Sequence, residues 1–173
     1  PAVVARLRDA GILVLHQVGD AAGARAALED GADGLIAQGI EAGGHRGHFL
    51  SYDLNLQPGT FALVPQVVRA VKVPVIAAGG IADAAGVRAA LALGAAGVQV
   101  GTAFLLCPEA TTSAVHRAAL KSEQARHTAL TNLFTGGVAR GIVNRIMREL
   151  GPLSDKVPVF PLATSAIAPL RAK

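Results

Sequence analysis

Between residues 12 and 107 the apolar positions fall into short unbroken runs, separated by alanine-rich stretches of helical period. The runs are Ile12-Leu13-Val14-Leu15, Gly34-Leu35-Ile36-Ala37, Val73-Pro74-Val75-Ile76-Ala77 and Val98-Gln99-Val100. They are continuous rather than alternating, so each reads as a strand of a parallel sheet with helices on its faces. Two of the intervening blocks echo one another. One begins Asp20-Ala21-Ala22-Gly23-Ala24-Arg25-Ala26-Ala27-Leu28, the other Asp83-Ala84-Ala85-Gly86-Val87-Arg88-Ala89-Ala90-Leu91. Each opens on Asp, a good N-cap, continues through strong helix formers and stops at a glycine, Gly31 or Gly94. A further helix is expected over 61–71. The order strand, helix, strand, loop, helix, strand, helix, strand makes the chain an α/β protein. A doubly wound open sheet and a (β/α)8 TIM-type barrel both fit. In either, ligands bind beyond the carboxyl ends of the strands.

After Cys107 the pattern changes. Residues 110–124 and 131–150 read as helices with a mixed polar face, with Gly136-Gly137 breaking the start of the second. Residues 1–107 are thus expected to hold strand–helix units, 108–150 a helical segment and 151–173 an irregular tail. That tail contains Pro152, Pro158, Pro161 and Pro169, and its stretch 157–162 is placed to reach a pocket. All of 1–173 is expected to form one partial barrel domain.

Composition narrows the function classes. The chain is 51% apolar and only 16% charged, enough to bury a real core. Its net charge of +4 comes from scattered arginines, and aromatics make up only 3%. Nucleic-acid binding, which needs clustered cations and stacking rings, is not expected. The single Cys107 excludes an internal disulfide and fits a reducing, cytoplasmic setting. No signal peptide and no membrane-spanning apolar run is evident. The first residue is Pro rather than Met, as in a fragment or a processed chain.

The chemistry concentrates in three loops. The second strand runs into Gln38-Gly39-Ile40-Glu41-Ala42-Gly43-Gly44-His45-Arg46-Gly47, which presents one imidazole on nearly bare backbone. Glycine lets backbone approach a ligand, and imidazole is the side chain suited to proton transfer near neutrality. His45 is therefore the candidate acid, base or hydrogen-bond donor. The other two loops, Ala77-Ala78-Gly79-Gly80-Ile81 and Gln99-Val100-Gly101-Thr102, follow the third and fourth strands. Loops after adjacent strands can offer backbone N–H groups to a phosphate. No GxGxxG fingerprint or Walker A loop is present. His45 and His48 form an HxxH pair, but no carboxylate or cysteine cluster completes a metal shell, and no metal site is expected. Glu41 reads as a loop-fixing residue and Arg140 as structural. Arg46 faces an anionic substrate or solvent, and His16 stands at a strand end.

The segments 38–47, 77–81 and 99–104 resemble the nitronate monooxygenase family, formerly called 2-nitropropane dioxygenases. The stretch 131–144, with Ala139-Arg140-Gly141 and Asn144, is similar to its bacterial and fungal class. The resemblance covers nearly the whole chain. It implies an FMN-dependent (β/α)8 barrel of which about the last four strand–helix units are present here. It implies that His45 is catalytic, removing the α-proton of a neutral nitroalkane or hydrogen-bonding the nitro group of a nitronate. Gln38 and Gly43 then contact the flavin, Gly79 and Gly80 form one phosphate loop, and Gln99, Val100, Gly101 and Thr102 form the other. Phe49 and Tyr52 cover the flavin or pack the loop. The implied reaction is oxidation of an alkyl nitronate, of the propionate 3-nitronate type, by O2 to a carbonyl compound and nitrite. The family's N-terminal half has no counterpart, and the two unpaired sheet edges favour association, so a homo-oligomer or a missing half is expected. FMN-dependent enoyl-ACP reductases and NADH:quinone reductases carry similar loops, which makes an NAD(P)H reductase the rival enzyme. A non-catalytic phosphate-binding half-barrel is the alternative from another class.

Overall fold

The computed structural model describes residues 2–51 and 53–171. In chain order the elements are α1 (Ala2–Asp9), β1 (Leu15–Val18), α2 (Ala21–Glu29), β2 (Gly34–Gln38), β3 (Gly44–His45), α3 (Thr60–Ala70), β4 (Val75–Ala78), α4 (Ala84–Ala92), β5 (Gly97–Gln99), α5 (Ala114–Lys121), β6 (Thr128–Thr131), β7 (Ala139–Ile142), α6 (Arg145–Leu150) and α7 (Ala163–Arg171). Short 3-10 turns lie at Leu54–Leu56, Thr102–Leu106 and Glu123–Arg126. Contacts group these into two compact units. One holds Pro1–Ala42 and Gly47–Ala103, the other Gly43–Arg46 and Phe104–Lys173.

The first unit is built on a parallel sheet of order β1-β2-β4-β5. Each new strand adds to the same side of the last. A doubly wound sheet reverses direction at a switch point, and this one does not, so the order is that of a barrel segment. Register aligns Val18, Ala37, Ala77 and Val98 in one row, with Leu35 and Val75 in a row parallel to it. Both rows pack with Leu63, Val64 and Val67 of α3, all at 0% exposure. Those positions share one helical face with Thr60, the i, i+3, i+4, i+7 spacing of a helix that buries one stripe. Full burial of each such side chain contributes about 1.5–3 kcal/mol. On the other sheet face Ile36 and Ile76 are level with each other and only half-buried.

Both predicted N-caps are in place. Asp20 Oδ1 accepts from Gly23 N at 2.6 Å, and Asp83 Oδ1 from Gly86 N at 2.8 Å. The first strand is displaced from the expected run, 12–15, to Leu15–Val18, and Leu13 is exposed. The cause is a clasp at residues 14 and 33. Val14 N donates to Asp33 Oδ2 and Val14 O accepts from Asp33 N, so regular pairing starts only at Leu15↔Gly34.

The second unit contains an antiparallel sheet of order β3-β7-β6. The helix expected over 131–150 is a correction: most of it is the β6–β7 hairpin, paired from Thr128↔Ile142 to Thr131↔Ala139. Gly136, at φ +88, takes a conformation that a helix cannot contain, and Thr and Ile suit the pleated strands flanking it. Helix resumes only at α6, where Asn144 Oδ1 accepts from Met147 N. The helix expected over 110–124 is the shorter α5, capped by Ser113. Its Arg117 guanidinium donates to the carbonyls of Leu106, Cys107 and Ala110, at 2.7 to 3.2 Å, and pins that loop. The tail expected to be irregular ends in α7. There Ala163 and Ile167, one turn apart, are buried on a single face. No helix among the described residues is long and apolar enough to cross a membrane.

Candidate active site

Register places Gln38, Ala78 and Gln99 level with one another across β2, β4 and β5. Gly79-Gly80 and Val100-Gly101-Thr102 lie immediately beyond, so the two glycine loops leave adjacent strands at the same height. Gly79 and Gly80 have φ of +110 and +69, a region glycine occupies without steric cost. The N–H groups of Gly80, Gly101 and Thr102 meet no acceptor among the described residues. At Gly101 an added Cβ would touch nothing within 4 Å. Thr102 opens the 3-10 turn, whose first N–H groups have no intrahelical acceptor. Uncommitted donors on open backbone are the donor set a phosphate takes.

The residues on either side of 43–46 are fastened within the first unit at several points. Gln38 is buried; its Oε1 accepts from Gly47 N at 2.6 Å and its carbonyl accepts from Gln57 Nε2 at 3.0 Å. Glu41 Oε2 accepts from Thr60 N at 2.9 Å and lies 2.9 Å from Thr60 Oγ1, which is also 2.9 Å from the Gly79 carbonyl. Thr60, the first residue of α3, thus links Glu41 to the loop after β4. The carboxylate also sits favourably at a helix N-terminus. Beyond Gly47, His48 Nδ1 stands 3.0 Å from Asp20 Oδ2, with the His48 side chain 2% exposed. His16 lies within β1 rather than at a strand end, and donates through Nδ1 to Gln17 O at 2.9 Å. Phe49 meets the His16 ring edge-on at 5.8 Å. Tyr52 lies outside the described residues.

The chain leaves the first unit after Ala42, contributes Gly43–Arg46 to the second and re-enters the first at Gly47. His45 is therefore not on a free loop. It sits in β3, opposite Ala139, with Gly44 opposite Arg140. Arg46 N donates to Val138 O at 3.0 Å, and Arg46 Nη2 donates to Gly44 O at 2.8 Å, burying that arginine. The His45 ring is held on two sides. Nε2 lies 2.8 Å from Thr135 Oγ1, and the Phe160 ring meets it edge-on at 5.5 Å and 74°. An added Cβ at Gly137 would stand 3.3 Å from His45 Cδ2 and 3.1 Å from Phe160 Cδ2, so glycine there leaves room for both rings. Arg140 Nη1 donates to Thr128 Oγ1 at 3.1 Å.

The family model described as nitronate monooxygenase matches residues 1–173. The chain belongs to the nitronate monooxygenase family. It is 41% identical over 170 residues to a probable nitronate monooxygenase of Staphylococcus aureus (strain JH9), covering 98% of this chain and 48% of that one. Among solved structures it is similar to the nitroalkane oxidase from Streptomyces ansochromogenes, with TM-score 0.90 and 42% identity over 99% of this chain and 49% of that one. FabK from Thermotoga maritima gives TM-score 0.72 and 38% identity over 84% of this chain and 44% of that one. The chain spans about half the length of the nitronate monooxygenase relatives it matches, in line with half of a barrel.

Of the residues the family resemblance singles out, Gln38, Gly79, Gly80, Gln99, Val100, Gly101 and Thr102 fall in the first unit and Gly43 and His45 in the second. Sequence reasoning missed Thr135, Phe160 and Thr60. Thr135 is 90 positions from His45, and nothing local marks it as a partner. Phe160 lies in the segment expected to reach a pocket.

Proposed function

We propose that residues 1–173 form the histidine-bearing part of an FMN-dependent oxidoreductase. Its substrate is an alkyl nitronate of the propionate 3-nitronate type, oxidised with O2 to a carbonyl compound and nitrite. The observation that carries this reading is the set of uncommitted N–H donors on Gly80, Gly101 and Thr102, at the same height on neighbouring strands, in a chain of this family. These donors would hold the cofactor phosphate. Gln38, Gly43 and the backbone of Gln99 and Val100 would line the remainder of the flavin. When bound, FMN supplies the one-electron oxidation of the nitronate and passes electrons to O2. The protein binds, aligns and moves the proton. His45 takes the α-proton of a neutral nitroalkane, or donates a hydrogen bond to a nitronate oxygen. The whole chain acts as one domain in this reading. A second half-barrel, from another copy or from further strand–helix units, closes the sheet at the β1 and β5 edges. A cytoplasmic setting belongs to the same reading.

The test uses the chain alone and the chain co-expressed with the remaining half of a relative, each reconstituted with FMN. Anaerobic propionate 3-nitronate is expected to bleach the flavin absorbance, with nitrite released once air is admitted. Bleaching by NADH with no response to the nitronate would establish the reductase instead. Failure of both forms to retain FMN would leave a non-catalytic half-barrel.

The phosphate assignment has a separate check. Gly101 carries no positive φ and no neighbour near its missing Cβ. Gly101→Ala should therefore leave the thermal midpoint unchanged while weakening FMN binding about tenfold or more, as a methyl group enters the cradle. Fluorescence titration with FMN alongside a melting curve separates the two effects.

A further inference from the structure

The peptide joining Gly79 to Gly80 carries an anchored carbonyl and an uncommitted donor. Thr60 Oγ1 donates to Gly79 O at 2.9 Å, while the Gly80 N–H meets no acceptor among the described residues. A trans peptide is planar, with its C=O and N–H pointing in opposite directions. Fixing the carbonyl therefore fixes where the Gly80 N–H is aimed. A flip of this peptide turns only backbone bonds of two glycines, at φ +110 and +69, and neither has a Cβ to oppose it. Without an anchor the peptide would present N–H and C=O in turn to an approaching anion, and the carbonyl oxygen would repel it.

Thr60 stands on a rigid base. It is buried at the first position of α3, on the face that also carries Leu63, Val64 and Val67, so the helix that bears it is held by the core. Glu41 seats it: both carboxylate oxygens accept from Thr60 N, at 3.1 and 2.9 Å, and Oε2 is also 2.9 Å from Thr60 Oγ1. A hydroxyl has one proton to give. Glu41 keeps the Thr60 N–H whichever way the hydroxyl turns, whereas the Gly79 carbonyl has no other donor among the described residues. The approach is close: a Cβ at Gly79 would stand 3.0 Å from Thr60 Oγ1, and one at Gly59 2.7 Å from Glu41 Oε1.

We propose that Thr60 is a positioning residue for the phosphate cradle, its hydroxyl locking the Gly79-Gly80 peptide with the Gly80 N–H turned toward the anion. The identity of that anion, the FMN phosphate, rests on the function proposed above; the lock itself does not. Riboflavin has the ring and side chain of FMN without the phosphate, so the pair isolates the cradle. In the flavin-retaining form of the protein, Thr60→Val is expected to weaken FMN binding about tenfold and leave riboflavin binding unchanged, with Thr60→Ser restoring the FMN affinity. Fluorescence titration measures both. Equal weakening of the two flavins reveals a general structural loss and overturns the inference. FMN affinity unaffected by Thr60→Val overturns it too and leaves the function standing.

The lock is read without flavin by 15N relaxation dispersion at the Gly80 amide of the chain alone. The wild type and Thr60→Ser are expected to show no μs–ms exchange there, and Thr60→Val to show it as the peptide flips. Exchange at Gly80 in the wild type, or its absence in Thr60→Val, overturns the inference. Should Thr60→Val fail to fold, Thr60→Ala, which keeps the N–H to Glu41, takes its place. A Gly80 amide that loosens in Thr60→Val, in a chain that binds neither flavin, upholds the lock and removes the function proposed above.

Discussion

Under the proposed function, His45→Asn is expected to cut turnover of neutral nitroalkanes by about 10²–10⁴-fold and turnover of preformed nitronates by only about tenfold. The two substrates differ in whether a carbon-bound proton must be removed. Asparagine keeps a hydrogen-bond donor and a similar reach but cannot accept that proton. Under the proposed function, the loss for a neutral nitroalkane would be that of a positioned general base. For a nitronate, which has already lost the proton, the loss is only that of a better-placed hydrogen bond. His45 is exposed, so the substitution should change stability little. Initial rates of nitrite release with a nitroalkane and its own nitronate, measured on wild type and variant, give the comparison. Equal losses on both substrates would exclude a proton-transfer role and leave His45 a binding residue.

Gly39→Ala is expected to destabilise the fold by about 3 kcal/mol. The reason is space. An added Cβ would collide with Thr60 Oγ1 and Thr60 N and stand 2.5 Å from Glu41 Oε2. One of these is a backbone atom in the first turn of α3, which is packed on β2 and β4 and cannot move aside as a side-chain tip would. Relief requires breaking the Glu41–Thr60 contacts, the hydrogen bonds of Gly39 N to Ala78 O and Ala42 N to Gly39 O, or both. Each route leaves a helix N-terminus or a strand end short of partners. The same contacts link Glu41 to Gly79, so under the proposed function weakened FMN retention should accompany the lower midpoint. Urea unfolding monitored by circular dichroism measures the first effect. A midpoint within about 0.5 kcal/mol of wild type would mean that the segment 39–42 shifts freely.

The two residues also differ in how visible their roles are from the chain alone. The prominence of His45 follows from its glycine-flanked neighbourhood, which is a local feature of composition. The constraint on Gly39 is invisible in that neighbourhood, since Thr60 reaches it only through packing of α3. Sequence legibility tracked locality elsewhere too. Asp20 and Asp83 cap helices through residues three positions on, and both caps are as read. The stretch 131–150 was misread because hairpin pairing between Thr128–Thr131 and Ala139–Ile142 overrides a weak helical pattern. The tail was misread because its prolines obscure the one-turn spacing of Ala163 and Ile167.

By itself, the sequence determined the α/β class, the capped helices, the glycine loops after the strands and the histidine motif, all written in residues close along the chain. Tertiary structure alone decided the sheet order that selects a barrel segment over a doubly wound sheet. It also decided the level alignment of Gly79-Gly80 with Gly101-Thr102, the β3–β7 pairing that carries His45, and the Thr135 and Phe160 contacts to its ring. The physical reason is common to all of these. Periodicity and capping act over a few residues, whereas register and side-chain partnership are settled by which distant surfaces bury one another and which donors and acceptors that burial leaves to be paired.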